Sequence, residues 1–132
     1  MNALRRTLYL QAAVWGVAGA ALAVAPGFVL KSVFGQPGLN EPTWLRVTGI
    51  EGFALAMLMV LVGHRADDLW WWSWAFAFLS TALAGAALLN AAFGLNPGQS
   101  GALWWALGAV AAAFSAALLA GLYLTSRERP LP

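Results

Sequence analysis

Glu51 is the only ionisable residue between Arg46 and His64, in a stretch otherwise made of Gly, Ala, Val, Leu, Ile, Met, Phe and one Thr. An acid set so deep in an apolar run is costly unless it is hydrogen-bonded or meets a cation, and intramembrane acids often mark a site. Arg46 is the nearest charge. Five residues at about 100° each place the two side chains roughly 140° apart around a helix, which separates them. Arg46 is therefore expected to reach for the headgroups. Counting about 1.5 Å per residue puts Glu51 about 12 Å below one boundary and brings Ser80 and Thr81 to the same level, with Trp15 slightly deeper. Glu51, Thr81, Ser80 and Trp15 thus form the candidate intramembrane polar site, with Arg46 as an interface charge. Two readings stay open: a Glu51–Thr81/Ser80 clamp joining two helices, or a proton or ligand site.

The remaining polar residues offer less chemistry. His64, Asp67 and Asp68 have a spacing that could hold a divalent ion, but a solvated turn and helix cap account for them, and no metal site is expected. Gln11 and Asn90 read as hydrogen-bond formers between helices. The chain has no Cys and one His, which excludes disulfides, thiolate sites and multi-His centres. No phosphate loop, zinc-type His pair or nucleophile elbow occurs, and Ser73, Ser80 and Ser115 have no intramembrane His as a base. No catalytic residue and no cofactor is expected.

The elements that must position these residues follow from composition. The 132 residues are 61% hydrophobic and 9% charged, where soluble domains average about 25% charged, and they fit one domain, 1–132. Basic residues stand singly or in pairs, which gives no nucleic-acid face. Four apolar runs, about 8–25, 43–63, 69–92 and 101–124, are each long enough to cross a bilayer core of roughly 30 Å. They lack the alternation of barrel strands, so the expected fold is all-α: a four-transmembrane-helix up-down bundle. Residues 28–34 read as a segment lying in the interface. Asn40, Ser100 and Asp67 or Asp68 are placed to cap helices. Gly and Pro punctuate the second and fourth entries, where Phe34-Gly35, Pro37-Gly38 and Trp44 recur as Phe93-Gly94, Pro97-Gly98 and Trp104. That recurrence leaves open two parallel helical hairpins or a coincidence of loop chemistry.

Arg5, Arg6, Arg65, Arg127 and Arg129 fall on one side of such a bundle, against Lys31 and Arg46 on the other, which predicts both termini in the cytoplasm. Trp70, Trp71 and Trp72 on one side, with Trp44, Trp104 and Trp105 on the other, read as interfacial belts. The basic start before the first run also fits a secretory leader, but the run is long and Pro26 follows the best cleavage site, so a retained span is expected. Small residues four apart offer packing ridges: Ala12, Gly16 and Ala20; Ala77, Thr81 and Gly85; Ala109, Ala113, Ala117 and Gly121.

The segment Trp44-Leu45-Arg46-Val47-Thr48-Gly49, with Pro26, Leu30, Phe34 and Gly35 upstream, resembles small bacterial four-helix membrane proteins of the DoxX-like and related uncharacterised families. The likeness covers about the first half of the chain and rests on short motifs. In those families an Arg-x-x-Gly element opens the second helix, matching Arg46 and Gly49. The resemblance implies the fold and a bacterial cytoplasmic membrane. Some members are linked to quinone or thiol oxidation, and the missing cysteines argue against thiol chemistry here. The expected role is a non-enzymatic accessory or oligomer-forming component, a homo-oligomer or part of a larger membrane complex in the lipid bilayer. The alternative is a carrier for protons or a small apolar molecule using Glu51, and a quinone- or lipid-modifying enzyme comes third.

Overall fold

A computed structural model describes residues 1–38 and 40–129. Its chain runs α1 (Asn2–Val24), a short α2 (Pro26–Phe28) continuing into a π-helical turn over Val29–Val33, α3 (Thr43–His64), α4 (Ala66–Leu69), a 3-10 turn (Trp70–Trp72), α5 (Ser73–Phe93) and α6 (Ala102–Glu128). No strand occurs among the described residues. Four helical stretches, α1, α3, Ala66–Phe93 and α6, are long and apolar enough to cross a membrane. These four stretches overlap the expected spans, with α1 starting earlier, at Asn2, and α6 running on to Glu128, and residues 28–33 are helical.

Local chemistry sets the breaks. Pro26 bars the α conformation for the residue before it, and Ala25 leaves the helix at φ −135° and ψ 62°. Pro26 itself then starts α2, where its missing N–H costs nothing. Gly35 and Gly98 take φ of 59° and 86°, a left-handed turn that side chains resist. These two are not equivalent in the recurring motif: Gly94, the counterpart of Gly35, sits at φ −98°, and Gly38, the counterpart of Gly98, has no positive φ. The two loops therefore share composition and not conformation.

Packing sorts the four long helices into two hairpins. α1 lies against α3 along much of its length, α5 lies against α6, and the hairpins join chiefly through α1 and α6. α3 and α5, neighbours in sequence, scarcely touch. The α1–α3 seam depends on two glycines. A Cβ on Gly19 would lie 2.7 Å from the Gly49 carbonyl oxygen, and one on Gly49 would lie 2.6 Å from that of Gly19. Only hydrogen at both positions permits this approach, which matters where lipid supplies no hydrophobic drive to associate. On α1 the buried small residues are Ala12, Gly16 and Gly19, so Gly19 takes the place expected for Ala20.

The expected α6 ridge is corrected. Ala109, Ala113 and Ala117 are exposed, and the buried face carries Gly108, Ala111, Ser115, Leu118, Gly121, Leu122 and Thr125. On α5, Ala77 is buried while Thr81 and Gly85 are exposed. Four-residue spacing marks a stripe on a helix, but the sequence does not say which stripe faces the partner.

The hydrophobic core is concentrated at the end of the bundle that holds the termini. Leu4, Leu8, Met59, Val62, Phe76, Leu118 and Leu122 pack there with Trp70, which is 3% exposed. Trp70 is thus a core residue and not part of a belt. Trp71 and Trp72 are exposed, their ring centroids 5.3 Å apart.

One carboxylate ties this end together. Asp67 accepts from Arg5 Nη2 and from Arg129 Nη2, both at 3.0 Å. Arg129 Nη1 also donates to the Asp67 carbonyl oxygen at 2.9 Å, and Arg5 Nε donates to the Gly63 carbonyl at 3.1 Å. The N-terminus, the α3–α5 connection and the C-terminal end of α6 therefore share one face, as an even number of antiparallel helices requires. Asp67 is an anchor and not a cap. Asp68 pairs with Arg65 at 3.1 Å. Of the expected caps, Ser100 Oγ accepts from the Ala102 N–H at 3.3 Å, and Asn40 makes no cap bond.

Candidate functional site

Where α3 and α5 part, the half of the bundle away from the termini holds a cavity of about 590 Å³. Its walls are overwhelmingly apolar. α1 contributes Trp15, Ala18 and Leu22, and α6 contributes Leu103, Trp104 and Leu107. α3 supplies Leu45, Thr48, Glu51, Leu55 and Met59, while α5 supplies Leu79, Ser80 and Leu83. Leu30, Phe34 and Pro37 from the segment after α1 form the roof.

Burial shows which side is open. Thr48, Glu51, Leu55 and Leu79 are exposed, whereas the lining residues of α1 and α6 are buried or half-buried. The mouth therefore lies between α3 and α5. Glu51 sits eight residues into α3, about 12 Å from its start, so the mouth opens well along the apolar run of that helix.

At the closed side lies a buried polar pair. Gln11 Nε2 on α1 donates to Ser80 Oγ on α5 at 2.6 Å, and Gln11 is fully buried. Its Oε1 has no hydrogen-bond partner among the described residues. A buried amide oxygen left unpaired costs about 1–3 kcal/mol.

The candidate residues are rearranged relative to expectation. The Glu51–Thr81/Ser80 clamp does not form. Ser80 is occupied by Gln11, and Thr81 turns away to α6, where its hydroxyl lies 2.6 Å from Ser115 Oγ while also donating to the Ala77 carbonyl at 2.8 Å. The physical reasons are the gap between α3 and α5 and a difference in level: Ser80 meets Gln11, which the Gly16–Ala56 and Gly63–Tyr9 approaches set beside the stretch of α3 near Met59, about two turns from Glu51. Glu51 and Ser80 do face one cavity. Among the described residues Glu51 has no hydrogen bond or ion pair, and Arg46 is exposed and unpaired with it, as helical geometry requires. Trp15 lines the cavity and packs on Phe114 of α6, ring centroids 6.3 Å apart, without serving Glu51 as a donor.

Two site residues escaped the sequence reading. Gln11 was legible as a helix–helix hydrogen bonder, and its partner could have been found by the same rise counting: measured from the ends of α1 and α5, Gln11 and Ser80 lie within about one turn of each other. Trp104, placed in a belt by position, is half-buried and faces the cavity. His64, Asp67 and Asp68 do not gather, and no group of three metal-ligating side chains occurs among the described residues. A second, shallow cleft lies between the Gly35–Pro37 and Pro97–Ser100 loops and carries no ionisable side chain.

Fold and composition together define an all-α integral membrane protein with four helices long and apolar enough to span, and a pocket between its two hairpins. No protein-family model, curated protein or solved structure matches the chain.

Proposed function

We propose that this protein binds, within the membrane, a small and largely apolar molecule that enters sideways from the lipid between α3 and α5. The observation that carries the reading is the cavity itself. At about 590 Å³ it falls in the range of small-molecule sites, roughly 300–1,000 Å³, and its apolar walls carry a few polar groups. Glu51, which no other side chain engages among the described residues, is the group set to orient an occupant. The role is that of a binding protein or carrier, and no catalytic step is assigned. The Arg count supports both termini facing the cytoplasm, and a bacterial membrane goes with the family resemblance. The DoxX-like resemblance belongs to the same proposal.

Native mass spectrometry of the protein released from nanodiscs tests the reading. Wild-type protein should retain a small-molecule adduct, and Ala18→Trp, which fills the cavity from the α1 wall, should lose it. Equal adducts on both proteins, or none on wild type, would refute it.

A second reading, an accessory or oligomer-forming subunit, is favoured by the exposed Ala109, Ala113 and Ala117, a strip of small side chains that lets another helix approach closely. Crosslinking in native membranes should then trap a dimer or a larger complex through α6, and recovery of monomer alone would count against it.

A further inference from the structure

We infer that the cavity selects a hydrophobic monocation, its positive group against Glu51 and its apolar body between the α1 and α6 walls; this rests on the cavity being a binding site. Two independent features share one electrostatic sign. Glu51 is the only ionisable side chain lining the cavity, and among the described residues no cation pairs with it. A carboxylate beside apolar walls is stabilised by a proton or by a cation brought to it, and the chain supplies no cation. On the walls stand the indoles of Trp15 and Trp104, whose ring faces attract cations most strongly where water is excluded.

The competing ligand classes fare worse on the same residues. An anion meets the Glu51 charge and finds no Lys or Arg in the lining. A neutral hydrocarbon fits the walls but leaves Glu51 unmatched. A cation whose charge is spread over apolar groups satisfies Glu51, tolerates the walls and partitions into lipid, as an occupant of a cavity set among apolar helices must.

Two probe ions of the same shape and opposite sign separate these classes. Isothermal titration calorimetry on the full chain in nanodiscs should show saturable binding of tetraphenylphosphonium beyond that of empty nanodiscs, and none of tetraphenylborate. Glu51→Gln should weaken tetraphenylphosphonium binding tenfold or more, with Glu51→Asp retaining part of it. Circular dichroism and elution volume should stay unchanged, since Glu51 is exposed and bonds to nothing it would release. Equal binding of both ions, or undiminished binding by Glu51→Gln, would overturn selection for a cation while leaving the cavity as a site. Absence of tetraphenylphosphonium binding would overturn it too, and a neutral adduct that Ala18→Trp expels would then show that the broader reading survives.

Discussion

Gln11 and Ser80 hold the two hairpins together at the closed side of the cavity, the amide of one donating to the hydroxyl of the other at 2.6 Å between α1 and α5. Hydrogen bonds between membrane helices average about 0.6 kcal/mol and reach about 1.7 kcal/mol, because the separated helices find other partners. The bond is thus modest, and its larger effect is to fix where the free Gln11 oxygen lies.

That asymmetry can be measured. Ser80→Ala strips the amide of its remaining partner inside the bundle and should cost about 1–3 kcal/mol, the penalty of a buried group left unmade. The double variant Gln11→Leu/Ser80→Ala removes the stranded group and should be more stable than Ser80→Ala alone. Reversible unfolding in mixed micelles checks the order, and additive losses would show that the two residues are not coupled.

Gly49 faces the Gly19 carbonyl across the α1–α3 seam, with backbone on the far side and no flexible side chain to move. Gly49→Val should cost at least about 1–3 kcal/mol, the usual penalty of overpacking. Gly85→Ala is the control, since its Cβ meets nothing within 4 Å. Unfolding of the two variants side by side should show a loss in the first and none in the second.

Asp67 joins Arg5 to Arg129, but its side chain is 57% exposed. Exposed ion pairs contribute about 0–1 kcal/mol and are screened by salt. Asp67→Asn should lower stability by less than about 1 kcal/mol at low ionic strength, and the difference should shrink as salt is added. A loss that salt leaves untouched would point to the Arg129 bond to the Asp67 backbone carbonyl as the stronger tie.

The native chain has no cysteine, so single cysteines report topology without background. Gln99→Cys, on the loop between α5 and α6, should react with an impermeant maleimide in intact cells. Ser126→Cys, near the end of α6, should react only after permeabilisation. The reverse pattern would invert the orientation drawn from the Arg count.

Much of the architecture is legible in the residues alone. Apolar runs of about 20 residues must satisfy their backbone internally in lipid, which makes four helices nearly obligatory. Pro26, Gly35 and Gly98 mark breaks because their backbone preferences act locally, whatever surrounds them. The candidate site was legible in part: Glu51, Ser80 and Trp15 do line one cavity, and Gln11 does bond between helices. Their pairing was not. Depth along a helix follows from counting, but the distance between two helices follows from how every other pair packs.

Trp70, Trp104 and the alanines of α6 make the same point. Each has the residue type and position of an interfacial anchor or a packing ridge, and the rotation of its helix decides whether that face meets a neighbour or the lipid. That Glu51 lies deep in an apolar helix with Arg46 turned away follows from the residues alone, because both are set within one helix. That Glu51 stands at the mouth of a cavity and not in a clamp is a matter of how the helices pack. That outcome follows from Gly19 and Gly49 drawing α3 onto α1, while α5 packs on α6 and a gap is left between.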